Sequence, residues 1–144
     1  MALDFGNVQD LIVNDSIGDL LNEDEDDSGL KFRLSCLRDS LRPLRTSDLV
    51  IVAARPDTGK TTWLASELTY MALQLREQRP IVWFNNEGSG SRIIKRLYQA
   101  ALGDTVDELL SRRQDGTLTD DYIAAIGSAD RLKVIDCHDM TNVQ

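Results

Sequence analysis

The chain of 144 residues holds two cysteines, three prolines, one histidine and no apolar run long enough to span a membrane. Cys36 and Cys137 are too few and too scattered for a disulfide scaffold, which fits a reducing compartment. His138 stands among Asp136, Cys137 and Asp139. Neighbours on one extended segment cannot all face one ion, and no second Cys/His cluster exists, so a metal centre there is not expected. The start has no basic stretch followed by an apolar core, so no signal peptide is read. Residues 1–30 contain nine acidic residues and no Lys or Arg. The remainder is nearly neutral, with fifteen acidic and sixteen basic residues, so the net charge of −8 comes from the leader. Phe5, Val8, Leu11, Ile12, Leu20 and Leu21 give that leader a partial helical stripe, and residues 22–29 read as a solvated linker. The leader is then either a mobile arm or a docking helix. There is no internal repeat.

Against these absences stands one dense motif. Leu49-Val50-Ile51-Val52-Ala53 reads as a strand, and Ala54-Arg55-Pro56-Asp57-Thr58-Gly59-Lys60-Thr61 follows it directly. The pattern is Ala or Gly, four free positions, Gly-Lys and Ser/Thr, the Walker A form of a phosphate-binding P-loop. Gly59 lets the backbone approach a phosphate with no Cβ in the way. The N–H groups of Thr58, Gly59, Lys60 and Thr61 lie at a helix N-terminus, where orphan donors and the macrodipole favour anions. Lys60 is a mobile charge for the β- and γ-phosphates, and the Thr61 hydroxyl suits Mg²⁺. The nucleotide-binding candidates are Arg55, Thr58, Gly59, Lys60, Thr61 and Thr62, with Thr61 as the metal ligand. Pro56 stiffens the entry to the loop, and Asp57 reads as a turn residue.

A helix is predicted over residues 60–78, with Trp63, Leu64, Leu68, Met71, Ala72 and Leu75 on its apolar face and Glu67, Arg76 and Glu77 in polar positions. Trp63 either belongs to that core stripe or stacks on a base. Arg79-Pro80 ends the helix. Ile81-Val82-Trp83-Phe84 then reads as a parallel-sheet strand buried on both faces. Ligands of open α/β sheets bind beyond the carboxyl ends of the strands, so Glu87 should share an edge with the P-loop. Its carboxylate could deprotonate a water attacking the γ-phosphate, or be an ordinary loop acid.

Residues 41–56, continuing into Gly59-Lys60-Thr61-Thr62, resemble the entry to the motor domain of DnaB-type replicative helicases, many of them phage-encoded. Residues 84–103, with Glu87 and Arg92-Ile93-Ile94-Lys95-Arg96-Leu97, are similar to the family's second block. The likeness covers residues 35–140. It implies an α/β fold, that of a RecA-like P-loop NTPase with three αβα layers and a mainly parallel sheet. It also implies ATP and Mg²⁺ as ligands, Glu87 and Lys60 as catalytic residues, single-stranded DNA as a partner, assembly into a homo-oligomeric ring, and a cytoplasmic location. Gly88 departs from the pattern, where an aliphatic residue or methionine is usual.

Further on, Arg92, Ile93, Ile94, Leu97, Tyr98, Ala101 and Leu102 suggest a helix capped by Ser89 or Ser91 and stopped by Gly103. Helices are expected over residues 104–114, with Val106, Leu109 and Leu110 inward, and over residues 119–128. Residues 132–136 read as a third strand. Asp136 is either a Walker B acid, holding Mg²⁺ through a water, or a strand-end acid near the nucleotide edge. Arg92, Lys95, Arg96, Arg112 and Arg113 are either phosphate contacts or a solvated face.

The expected division is an acidic arm at residues 1–30 and the N-terminal part of a RecA-like ATPase domain at residues 31–144. Three strands without a secure Walker B or arginine finger suggest the front half of a motor, completed by ring neighbours or by a second chain. Three functions stay open: an ATP-hydrolysing segment of a DnaB-like helicase, a RecA-type recombinase or other RecA-like ATPase, and a nucleotide-binding interaction module without turnover.

Overall fold

The computed structural model describes residue 17, residues 28–76 and residues 79–137. The stripe of the acidic leader and the His138–Asp139 pair lie outside the described residues.

Among the described residues, two strands form the sheet. β1 (Ile81–Asn85) pairs in parallel with β2 (Leu132–Asp136), with Ile81 opposite Leu132 and Asn85 opposite Asp136. The ladder is extended at both ends by Ile81 N–H to the Arg131 carbonyl at 2.8 Å and Cys137 N–H to the Asn85 carbonyl at 2.7 Å. Parallel pairing needs a long crossover, and three helices supply it. These are α3 (Gly90–Leu102), α4 (Val106–Asp115) and α5 (Leu118–Ile126). Before β1, residues 28–76 carry the short α1 (Ser35–Arg38) and the long α2 (Lys60–Ala72).

Local chemistry sets the ends of these helices. Ser89 is the N-cap of α3, its hydroxyl accepting from Ser91 N–H, and Gly103 closes the helix at φ 74°. Thr105 and Glu108 form a reciprocal capping box on α4. The Thr105 backbone and hydroxyl bonds hold the Glu108 carboxyl below its ordinary pKa. Arg112 ties α4 to its surroundings, reaching Asp104 at 2.5 Å and Asp121 of α5 at 2.8 Å. Its guanidinium is thus committed to two carboxylates. Arg113 is exposed on the same helix.

The core lies on one face of the sheet. Ala65 of α2 packs with Ile93 and Leu97 of α3, against Trp83 and Val134. Ala72 packs with Tyr122 and Ile126 of α5, against Ile81 and Leu132. Tyr98 and Tyr122 stack at 3.8 Å across α3 and α5. Burial, and next the neighbouring Tyr98, pushes the Tyr122 phenol up to about 12.

The other face is open. Val82, Phe84 and Ile135 are exposed there, Phe84 by 68%. Burial of Ile81-Val82-Trp83-Phe84 on both faces is therefore not realised. Nor is a strand at residues 49–53: the segment has no regular structure, and Leu49 and Ile51 are 85% and 83% exposed. An apolar run needs a neighbour to hydrogen-bond before it is a strand, and among the described residues β1 and β2 pair only with each other. The described residues thus form an incomplete α/β RecA-like fold, a two-stranded parallel sheet with helices on one side. No described helix is long and apolar enough to cross a membrane.

The buried face of α2 matches its apolar spacing only at Met71 and Ala72. Ala65, Glu67, Thr69, Met71 and Ala72 are buried, while Trp63, Leu64 and Leu68 are half-buried. Glu67 is only 1% exposed because the segment before the P-loop lies over it. Its carboxylate accepts Arg33 N–H at 2.5 Å and Leu34 N–H at 3.3 Å. Gln74 clasps Lys31 from both sides, accepting its N–H at 2.7 Å and donating to its carbonyl at 2.8 Å. Arg33 donates to Thr69 at 3.0 Å and lies 5.6 Å from the Tyr70 ring centroid. Leu30 and Leu44 exchange backbone bonds of 2.9 Å.

Glu67→Leu strands two backbone donors, each costing about 1–3 kcal/mol when left unpaired. The expected loss is about 3 kcal/mol, read from the midpoint of denaturant unfolding. A loss under about 0.5 kcal/mol, the range of an ordinary surface change, would show that Glu67 does not hold this segment.

Candidate nucleotide-binding site

The site begins in the loop at residues 54–59. Asp57 sits at φ 59° and Gly59 at φ 89°. Asp tolerates the left-handed region, which agrees with its reading as a turn residue. The Thr58 hydroxyl closes the turn by donating to the Arg55 carbonyl at 2.7 Å. Gly59 is the N-cap of α2 and the helix has no side-chain cap. The N-terminal donors of a 13-residue helix are therefore not occupied by a capping side chain. Nothing lies within 4 Å of where a Cβ on Gly59 would stand, so its left-handed φ is what requires glycine. Arg55, Thr58, Lys60 and Thr62 are exposed and Thr61 is half-buried. The candidate loop residues thus form one continuous open surface.

Glu87 lies in the turn between β1 and α3, beyond the carboxyl end of β1, and is exposed. Residues 49–53 do not join the sheet, so no strand carries the P-loop, but α2 runs from Ala65 beside Trp83 and Val134 to Ala72 beside Ile81 and Leu132, and its N-terminus therefore points toward the carboxyl ends of the strands, where Glu87 and Asp136 lie. The P-loop helix meets this region by another route. Its Ala65 packs on Ile93 and Leu97 of α3, and Arg96 of α3 donates to the Thr62 hydroxyl at 2.6 Å. Arg96 thus places a cation at the first turn of α2, while Arg92 and Lys95 are exposed on α3. Of the five basic residues read as possible phosphate contacts, Arg112 is instead taken by its ion pairs.

The Glu87 turn is built by residues that the motif does not include. Asn85 is 3% exposed and its amide donates to the Gly88 carbonyl at 2.8 Å and to Asp136 Oδ1 at 3.1 Å. Gly90 N–H donates to Asp136 Oδ2 at 2.8 Å. Gly88 has φ 67°, a conformation costly for the aliphatic or methionine side chain usual at this position. The departure at Gly88 thus has a backbone reason. Asn85 and Gly90 carry little signal in the sequence: an amide at the end of an apolar run and a glycine between serines both look like loop composition.

A helix-rich parallel α/β fold with a Gly-Lys-Thr loop opening a helix defines a P-loop NTPase. A family model described as "AAA domain" matches residues 18–142. The chain belongs to this AAA domain family. It is also 30% identical over 101 residues to the protein named replicative DNA helicase DnaB of Buchnera aphidicola subsp. Baizongia pistaciae (strain Bp), a match covering 70% of this chain and 20% of the relative. The chain is thus related to DnaB-type helicases and spans about one fifth of the length of the relative it matches. No solved structure matches it significantly.

Proposed function

We propose that this chain binds and hydrolyses ATP at residues 54–61, as the nucleotide-handling segment of a DnaB-like helicase acting on single-stranded and forked DNA. The observation carrying the reading is the uncapped N-terminus of α2, with Gly59 in the left-handed region and Lys60 exposed beside it. That arrangement offers convergent backbone donors and a mobile cation to a triphosphate. Arg55, Thr58, Gly59, Lys60, Thr61 and Thr62 form the nucleotide contacts.

The donor chemistry fits magnesium: the Thr61 hydroxyl is an oxygen ligand in the first turn of α2, and a hard cation that keeps several waters needs few protein ligands. When bound, Mg²⁺ neutralises charge on the phosphate oxygens. Glu87 takes a proton from water as the water oxygen bonds to the γ-phosphorus. The bond from that phosphorus to the β–γ bridging oxygen breaks, and ADP carries away the electron pair. Lys60 stabilises the charge that develops on the transferred group.

Single-stranded DNA and ring neighbours, or a second chain, complete the assembly in this reading, and the cytoplasm is its setting. The exposed apolar segment at residues 49–52 and the open sheet face of Val82, Phe84 and Ile135 agree with a need for further structure around this unit. Steady-state ATP turnover with and without single-stranded DNA tests the proposal. DNA-stimulated hydrolysis is the expected result. Tight nucleotide binding with no turnover in either condition would contradict the motor and leave a binding module.

A further inference from the structure

The geometry points to Asp136 as the positioning residue that holds Glu87 in place, a role resting on the reading of Glu87 as the base. Asp136 ends β2 directly opposite Asn85, the last residue of β1. One of its oxygens accepts from the Asn85 amide and the other from the Gly90 backbone. Asn85 is buried and its amide also holds the Gly88 carbonyl. The turn bearing Glu87 is thus tied at its entry, inside and at its exit to a network centred on one carboxylate.

A carboxylate suits the task. It presents two acceptors at once, and charge-assisted bonds are about twice as strong as neutral ones. One of its partners is an N–H at the start of α3, where negative charge is favoured. An acid at the end of a strand is also what a magnesium-holding residue would look like. Here both oxygens are directed at donors of the turn, so Asp136 acts on the backbone that carries Glu87. A general base has to sit within hydrogen-bond reach of its water, and an error of about 1 Å costs on the order of 100-fold.

The test is steady-state ATP turnover by the full chain, with ATP and Mg²⁺ titrated separately. Asp136→Ala is expected to lower kcat on the order of 10-fold to 100-fold, with KM for ATP and the Mg²⁺ requirement unchanged. Asp136→Asn keeps an acceptor for Gly90 N–H but turns a donor toward Asn85, so it should recover part of the loss. Gly90→Ala leaves Asp136 intact, yet its Cβ would stand 3.0 Å from Asp136 Oδ2, and it should lower kcat in the same direction. In a Glu87→Gln background, Asp136→Ala should add little, because the clamp works through Glu87. Amide exchange at Gly90 should quicken in Asp136→Ala.

Wild-type kcat in both Asp136→Ala and Gly90→Ala, a raised Mg²⁺ requirement, or losses that multiply with Glu87→Gln would each overturn the role. A wild-type chain with no turnover would overturn the reading of Glu87 and this role with it. Turnover that both Asp136→Ala and Gly90→Ala leave intact overturns the role alone.

Discussion

Glu87→Gln is expected to lower ATP turnover on the order of 10²–10⁴-fold while leaving nucleotide binding in place. The size follows from what is removed. Glutamine keeps the shape and hydrogen-bonding reach of the side chain but cannot take a proton from the attacking water. The change has little else to disturb. Glu87 is exposed, and the hydrogen bonds that shape its turn come from Asn85, Asp136 and the backbone of Gly88 and Gly90. A surface position of this kind should shift stability within about 0.5 kcal/mol, so lost activity could not be ascribed to unfolding. Steady-state turnover measured beside a nucleotide titration separates the two quantities. Full turnover in the variant would remove Glu87 from the chemistry and, with it, the positioning role of Asp136.

Local chemistry was legible where it acts locally. Gly103 as the stop of α3, a serine cap at residue 89, the two helices that follow and the strand at residues 132–136 all follow from caps, periodicity and short apolar runs. The inward set of α4 was legible only in part, since Leu109 is buried while Val106 and Leu110 remain exposed. What escaped depends on distant partners. The apolar residues 49–53 look like a strand, but pairing is supplied from elsewhere in the fold and none is made among the described residues. Val82 and Phe84 look buried for the same reason, and only one face of the sheet is covered.

Glu67 is the opposite case. A charged residue in a helix reads as solvent-facing, yet the backbone N–H groups of Arg33 and Leu34 reach it from more than thirty residues away. No periodicity argument carries that information. In the candidate site, the glycine turn at Gly59 that opens α2 at Lys60 was legible, because a Gly-Lys-Thr run at that spacing is read as a loop leading into a helix. The support of the Glu87 turn was not, because Asn85, Gly90 and Asp136 meet only when β1 and β2 pair in register. The bond from Arg96 to Thr62 likewise depends on α3 lying against α2.

The second large effect is at Lys60. Its ammonium is exposed at the first position of α2, beside backbone donors that no side chain caps. Lys60→Ala therefore removes a charge aimed at solvent and costs the free protein little, since alanine is a strong helix former. For the nucleotide the loss is large, because a triphosphate is held by charge and by the loop's donors together. Ligand at roughly 100-fold its Kd stabilises a protein by about 2.7 kcal/mol. For a chain of this size, that should raise Tm on the order of 10 °C. Thermal melting of the wild type and Lys60→Ala, with and without Mg·ATP, tests the central claim most directly. Tm should rise clearly for the wild type and not at all for Lys60→Ala, from similar starting values without nucleotide. An equal rise in both proteins would contradict the placement of ATP at residues 54–61.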